Sequence, residues 1–227
     1  MGKIKIGFIT IGQSPRKDIM EEILPVLGDG FDIIEIGALD GYSYNDLINK
    51  FSLNKFKNIL VTKLLDGNEI MINEEYLNPL VQNAINILER KSVNIIVILC
   101  TGEFSNLNSN VILIESSNVT KMEINKLRTN YSVGIIIPDD KQYEQMKKRW
   151  DIEAVDTELL FLSPYGSQDE IEYLAEEIKR KNWDYVFLDC MGYSKRTKDL
   201  LERLSNKKVY LSRFIVAEYI RDLLEMC

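Results

Sequence analysis

Histidine is absent from the 227-residue sequence. This absence excludes a Ser-His-Asp or Cys-His catalytic unit, a histidine-based metal site and a histidine proton shuttle. Acid–base chemistry must therefore come from Cys, Asp, Glu, Lys or Tyr side chains. The sequence also lacks the Gly-x-Gly-x-x-Gly, Gly-x-x-x-x-Gly-Lys-Ser/Thr and Cys-x-x-Cys patterns. Nucleotide, metal and thiol-redox functions thus have no support, and we expect neither a cofactor nor a metal.

Cysteine is scarce, and positive charge is not in excess. The three cysteines, Cys100, Cys190 and the terminal Cys227, make a poor disulfide framework but suit reduced thiols in a reducing compartment. A net charge of −7 argues against binding to nucleic acid or to an anionic membrane. There is no apolar run of about 18 residues and no signal-peptide pattern at the amino terminus. We expect a cytoplasmic protein whose partner is a small molecule or a second copy of the chain, with Cys227 a bystander.

Apolar runs rich in β-forming residues alternate with amphipathic helical stretches along the chain. This alternation predicts an α/β protein with parallel sheets and right-handed crossovers. We interpret the chain as two similar Rossmann-like lobes at residues 1–113 and 131–212, with a connector at 114–130 and a functional cleft between the lobes. The closing helix, 213–227, is expected to pack on the first lobe. A strand is also expected near 152–157.

One segment interrupts the alternation. Residues 63–73 carry Asp66-Gly67-Asn68 between two short apolar runs, which is the pattern of a turn in a β-hairpin. The hairpin is either an excursion at the edge of a sheet or a lid over the cleft.

Two apolar runs end in a cysteine that is followed, after one residue, by glycine. The first run leads from Asn94 to Cys100-Thr101-Gly102, and the second leads from Asp184 to Cys190-Met191-Gly192-Tyr193. Ligands of open α/β sheets bind beyond the carboxyl ends of the strands, where these thiols are expected. Either cysteine alone is explained as well by simple packing, but the repetition favours a functional role for at least one.

Two opposed thiols suit proton transfer at a carbon next to a carboxylate. One removes a proton from one face while the other returns a proton to the opposite face. Helix-start amides after each cysteine are expected to favour the thiolate. Backbone N–H groups and hydroxyls of the two turns are expected to hold the substrate carboxylate, which makes these candidate substrate-binding residues: Thr101, Gly102, Met191, Gly192 and Tyr193.

Further candidates follow the first and last strands. Gln13, Ser14 and Arg16 lie just after the first strand, where Arg16 offers a bidentate fork to a carboxylate or is a solvated charge. Ser14 either contributes to the same cleft or caps a helix that begins at Pro15. Arg213, after the last strand, is placed like Arg16. Asp189 is expected to point away from Cys190 and to act as a structural hydrogen-bonding partner.

Several motifs carry a resemblance to known families. The segments Ile9 to Arg16, Val133 to Pro138 and Leu188 to Tyr193 resemble the AroM family over essentially the whole chain. The two strand–Cys motifs resemble the aspartate/glutamate racemase superfamily, in which each of two lobes supplies one catalytic cysteine. The resemblance implies an Asp/Glu racemase-like fold and a cofactor-independent racemase or isomerase acting on a small carboxylic acid, with Cys100 and Cys190 as acid and base.

The sequence departs from the racemase pattern around both cysteines. No asparagine follows Cys100, no threonine follows Cys190, and Gly12-Gln13-Ser14 replaces the Asp-Ser after the first strand. These departures leave room for a substrate other than an amino acid. They also leave open a reaction with one nucleophilic cysteine, and a non-catalytic protein that binds or senses a small acid.

Overall fold

The computed structural model describes residues 3–51, 58–150 and 158–225. The first half of the chain forms β1 (Ile4–Thr10), α1 (Lys17–Leu27), β2 (Phe31–Gly37), α2 (Tyr44–Lys50), β3 (Ile59–Lys63), β4 (Glu69–Asn73), α3 (Glu74–Arg90), β5 (Ile95–Leu99) and β6 (Ile112–Glu115). The second half forms α4 (Ser116–Arg128), β7 (Val133–Ile137), a 3-10 turn (Asp140–Gln142), α5 (Tyr143–Trp150), β8 (Leu159–Phe161), α6 (Gln168–Lys179), β9 (Tyr185–Leu188), α7 (Lys195–Ser205), β10 (Lys208–Leu211) and α8 (Ser212–Glu225).

The chain divides into two compact units. The first unit comprises Met1–Lys17 and Gly28–Ser117, and the second comprises Asp18–Leu27 and Asn118–Cys227. Nearly all of α1 therefore groups with the second unit, although it precedes most of the first unit in sequence. The closing helix α8 groups with the second unit as well. The lobe limits 1–113 and 131–212 remain predictions.

The first unit is built on a four-stranded parallel sheet in the order β2-β1-β5-β6. Helix α3 buries Leu77, Val81 and Leu88 at helical spacing, in one cluster with Ile96 and Ile98 of β5. The predicted hairpin is confirmed: β3 and β4 pair antiparallel with Lys63 opposite Glu69. Its turn includes Gly67, whose φ of +92° is readily adopted only by glycine.

The second unit repeats this arrangement in the order β10-β9-β7-β8, again parallel. Strands β7, β8, β9 and β10 thus correspond to β1, β2, β5 and β6. Helices α6 and α7 begin at serine caps, Ser167 and Ser194, whose side chains accept backbone N–H bonds of the first turn. The strand predicted near 152–157 lies outside the described residues, and the strand that pairs with β7 is β8.

One local prediction is corrected. Ser14 does not cap α1, because the helix begins only at Lys17 and the Ser14 hydroxyl donates to Asp40. Asp139 caps the short 3-10 turn, with α5 starting three residues beyond Asp140. Among the described residues, no helix combines the length and the apolar character that crossing a bilayer requires.

A glycine at the same place in both central strands allows the layer above the sheet to approach closely. Gly7 of β1 is paired with Ile96, and Gly134 of β7 with Val186. A Cβ on Gly134 would collide with the ring of buried Trp183, whereas a Cβ on Gly7 would meet the Leu88 methyl groups at 2.7 and 2.8 Å. The Leu88 methyl groups can move aside by a change of rotamer more easily than the Trp183 ring can.

We therefore expect Gly134→Ala to lower the free energy of unfolding by about 1–3 kcal/mol, through overpacking. The matched control, Gly7→Ala, is expected to cost less because Leu88 has other rotamers. Urea unfolding followed by circular dichroism measures both. Equal costs for the two variants would show that the Trp183 contact is not the stiffer one.

Candidate functional site

The first candidate site surrounds Cys100, at the carboxyl end of β5 in the first unit. Its side chain is 8% exposed, and its Sγ accepts the backbone N–H of Gly102 at 3.3 Å. Gly102 packs closely, since a Cβ there would lie 3.3 Å from this sulfur and would collide with Leu60. Ser116, the first residue after β6, donates its hydroxyl to the Ile98 carbonyl at 2.6 Å. We call these residues the Cys100 site.

The second candidate site surrounds Cys190, beyond the carboxyl end of β9 in the second unit. Cys190 is partly exposed, and its Sγ accepts the backbone N–H of Gly192, also at 3.3 Å. Ser212, the first residue after β10, donates its hydroxyl to the Leu188 carbonyl at 2.6 Å. We call these residues the Cys190 site.

The two sites are the same construction at equivalent positions of the two sheets. Ile98 is paired with Glu115 across β5 and β6, and Leu188 is paired with Leu211 across β9 and β10. In each unit the cysteine comes two residues after the first partner, and the serine comes directly after the second. The two serines were not predicted from the sequence. The only signal would have been a serine placed directly after each neighbouring strand.

The shared N–H to sulfur bond has a chemical consequence. A sulfur that accepts a hydrogen bond holds negative charge more readily, so this bond favours the thiolate over the thiol. The glycines predicted to bind a ligand carboxylate instead direct their N–H groups at the sulfurs. The structure also differs from the expected helix start after Cys100, because residues 101–111 form a loop that leads into β6. After Cys190, helix α7 starts only at Lys195.

Arg213 belongs to the Cys190 site and contacts the turn that follows Cys190. It is 1% exposed, and its Nε and Nη2 donate to the Met191 carbonyl at 3.2 and 2.7 Å. Its Nη1 donates to the Asp18 carbonyl at 2.9 Å and to Glu22 Oε2 at 2.7 Å. Arg213 therefore stabilises the turn that follows Cys190, and its role in binding a carboxylate remains a prediction.

Asp189 confirms its predicted role as a structural hydrogen-bonding partner. It is 1% exposed, and its Oδ2 accepts the indole N–H of Trp150 at 2.8 Å. The same oxygen lies 3.7 Å from Nε of buried Arg149, which also donates through Nη2 to Thr120. Sequence reasoning missed Arg149, because its position near the end of a basic helix resembles a solvated one.

Tyr193 is a core residue in the structure. It is fully buried, and its hydroxyl donates to the Leu162 carbonyl at 2.7 Å. Burial raises the pKa of Tyr193 well above its usual value, and the nearby charges of Cys190 and Asp189 raise it further. The phenol therefore stays neutral at physiological pH, and its geometry fits packing rather than the predicted ligand contact. Met191 is also buried, at 2% exposure.

The loop after β1 is held by its own side chains. Gln13 donates its amide N–H to the Tyr42 carbonyl at 2.7 Å, and its Oε1 accepts the Leu65 N–H at 2.8 Å. Ser14 donates its hydroxyl to Asp40 at 2.6 Å. Gln13 thus ties the hairpin turn to the first loop, while the role of this hairpin as a lid remains a prediction.

Two further candidates from the sequence are buried at strand ends of the first unit. Arg16 is 7% exposed and its backbone N–H donates to Glu35 at 2.9 Å, so the solvated alternative for Arg16 is wrong. Thr101 is 6% exposed beside Cys100. Both residues retain only a predicted role in ligand binding.

A carboxyl pair accompanies the Cys100 site. Glu115, the sheet partner of Ile98, is half-buried, and this burial together with the charge of Glu103 raises the pKa of the Glu115 carboxyl. The equivalent residue of the Cys190 site is Leu211. Among residues 3–51, 58–150 and 158–225, no group of three or more Cys, Asp or Glu residues is arranged to hold a metal ion.

Comparisons with solved structures show the fold of known racemases and isomerases. Allantoin racemase from Klebsiella pneumoniae matches with a TM-score of 0.64 and 13% identity, covering 99% of this chain and 89% of that one. A maleate isomerase from Pseudomonas putida matches with a TM-score of 0.63 and 11% identity, covering 98% and 93%. Glutamate racemase from Aquifex pyrophilus matches with a TM-score of 0.60 and 14% identity, covering 97% and 84%.

At identities this low, the structural matches establish the fold, and the reaction has to be argued from the residues. No curated protein matches the sequence significantly. The AroM protein family model matches residues 6–224, which is nearly the whole chain. The protein is therefore a member of the AroM family, on the aspartate/glutamate racemase fold.

Proposed function

We propose that this AroM protein is a cofactor-independent racemase or isomerase of a small carboxylic acid, with Cys100 and Cys190 as its acid and base. The observation that carries the proposal is the repeated construction in which each cysteine Sγ accepts the N–H of the glycine two residues on. Because packing alone gives no reason to build the same sulfur contact twice, its repetition favours paired thiol chemistry.

The proposed reaction needs only proton transfer. One cysteine thiolate takes the proton from the carbon next to the substrate carboxylate, and the electron pair of that C–H bond delocalises into the carboxylate as a planar intermediate. The thiol of the other cysteine then donates its proton to the opposite face of this carbon. The centre is inverted, nothing is oxidised or reduced, and the two sulfurs exchange protonation states.

The substrate class is inferred from the reaction and from the structural neighbours. Two of them are named for a carboxylate substrate, glutamate or maleate. The departures from the racemase pattern next to both cysteines favour an acid other than an amino acid. We propose a small carboxylic or dicarboxylic acid as the ligand, held by backbone groups near Thr101 and near Arg16.

A panel of enantiopure small acids incubated with the protein in deuterium oxide tests this proposal. We expect loss of optical rotation together with deuterium at the α-carbon, seen by proton NMR, for at least one acid. For unsaturated acids such as maleate, the same spectra report cis–trans isomerisation. The control is the Cys100→Ser/Cys190→Ser double variant, which keeps the fold and lacks both thiols.

Two results would contradict the proposal. The first is conversion that proceeds at the parent rate in both single cysteine variants. The second is an acid that raises the melting temperature of the protein but is never converted, which identifies a sensor that binds without reacting.

A further inference from the structure

The two sites differ in the residue that follows the construction they share. In the Cys190 site, Ser212 is followed by Arg213, whereas in the Cys100 site Ser116 is followed by Ser117. Both residues are buried, at 1% and 3% exposure. One site is therefore backed by a guanidinium charge at a position where the other carries a neutral hydroxyl.

Arg213 acts on the same peptide group that touches the Cys190 sulfur. Its fork donates twice to the Met191 carbonyl, and the N–H of that peptide, which belongs to Gly192, donates to Cys190 Sγ. A peptide group is planar, so fixing its carbonyl also fixes the direction of its N–H. A charged donor on the carbonyl polarises the amide and strengthens the bond that its N–H makes.

The charges around the two sulfurs differ as well. Near Cys190, Arg213 is paired with Glu22, and the adjacent Asp189 carboxylate is offset by Arg149. Tyr193, a further titratable neighbour, is neutral and donates its hydroxyl to a backbone carbonyl.

Two carboxyl groups accompany the Cys100 site, where the position that matches Arg213 is the neutral Ser117. Glu115 lies beside β5 as the partner of Ile98, Glu103 comes three residues after Cys100, and the charge of Glu103 already raises the pKa of the Glu115 carboxyl. At the place of Glu115, the Cys190 site has the apolar Leu211.

We propose that Arg213 is a positioning residue that makes Cys190 the resting thiolate, while Cys100 rests as the thiol. The assignment of Cys190 as the first base and Cys100 as the first acid rests on the proposed function. The difference in protonation between the two sulfurs does not, because it follows from the protein alone. An inactive protein with unequal thiols would therefore contradict only the proposed function.

Single-cysteine variants measure this difference directly. The Cys100→Ser/Cys227→Ser variant retains only Cys190, and the Cys190→Ser/Cys227→Ser variant retains only Cys100. Ultraviolet absorbance of the thiolate and the rate of alkylation by iodoacetamide are followed against pH. We expect Cys190 to ionise at least about one pH unit below Cys100. A midpoint for Cys100 at or below that of Cys190 would overturn the assignment.

Variants of Arg213 separate positioning from general stability. In the chain that retains only Cys190, Arg213→Met is expected to raise the pH midpoint of Cys190 ionisation by about one unit. It is also expected to slow alkylation of Cys190 at neutral pH about tenfold. In the chain that retains only Cys100, the same substitution is expected to leave the midpoint in place. An unchanged Cys190 midpoint would overturn the role of Arg213.

The Glu22→Gln variant is the matched control. It keeps an oxygen that accepts the bonds of Arg213 and of the Lys195 N–H but removes the neutralising charge. The Cys190 midpoint is therefore expected to stay or to fall. A rise equal to that in Arg213→Met would show that disturbed packing, not the guanidinium, sets the midpoint. If Arg213→Met does not fold, Arg213→Lys takes its place, since lysine keeps the charge but not the two-pronged contact. A Cys190 midpoint above the parent value in that variant reports the lost contact, and an unchanged midpoint would overturn the positioning role.

Discussion

Replacing Cys190 by serine is expected to slow conversion of the substrate by roughly 10²–10⁴-fold, the usual contribution of a positioned acid or base. A serine hydroxyl is far less acidic than a thiol, so it supplies no base at neutral pH even though the N–H of Gly192 still points at it. The measurement is the initial rate of optical inversion with the acid that the panel identifies, compared with the parent protein.

Replacement of Cys100 is expected to give a different defect. With Cys190 intact as the base, Cys100→Ser should still exchange the α-proton of one enantiomer with deuterium, but it should not invert the centre. Cys190→Ser should lose exchange of that enantiomer as well as inversion. Cys227→Ser is the control and is expected to retain the parent rate. Full inversion by Cys100→Ser would remove that cysteine from the mechanism.

Features that depend on short stretches of sequence were predictable. The apolar runs before Cys100 and Cys190 are strands in which every residue except the partly buried Tyr185 is buried, so their pattern alone places both cysteines just after carboxyl ends. The hairpin follows from a local turn signal at Asp66-Gly67-Asn68, and the parallel sheets follow from alternation. The strand and turn signals lie within the segments that they predict.

Features that depend on the pairing of distant segments were not predictable. Arg213 reaches the Met191 carbonyl across 22 residues because β10 lies beside β9, and nothing near Arg213 in sequence indicates that contact. Ser14 has the neighbours of a helix cap, yet its hydroxyl goes to Asp40, 26 residues away. In both cases the position predicted from the strand end was right, but its bonding partners were decided by tertiary packing.

Asp189 shows how the segment beside a candidate catalytic residue is stabilised. Its carboxylate lies in a buried cluster with Arg149 and Trp150, one residue before Cys190. Taking a charge out of water is costly, so Arg149 is tolerated there because an opposite charge lies close to it. Removing one partner takes away the opposite charge that lies 3.7 Å from the other.

We therefore expect Asp189→Asn to lower the free energy of unfolding by about 3–5 kcal/mol, although the asparagine oxygen still accepts the Trp150 N–H. Urea unfolding measures the change, and Asp199→Asn, at an exposed ion pair with Lys195, is the control expected to have little effect. The Asp189→Asn/Arg149→Met double variant removes both charges, keeps an oxygen for the Trp150 N–H and is expected to recover much of the loss, since no buried charge then needs compensation. If Asp189→Asn were as stable as the parent, or if the double variant were less stable than the single one, the contact between the Asp189 and Arg149 charges would not be what stabilises this segment.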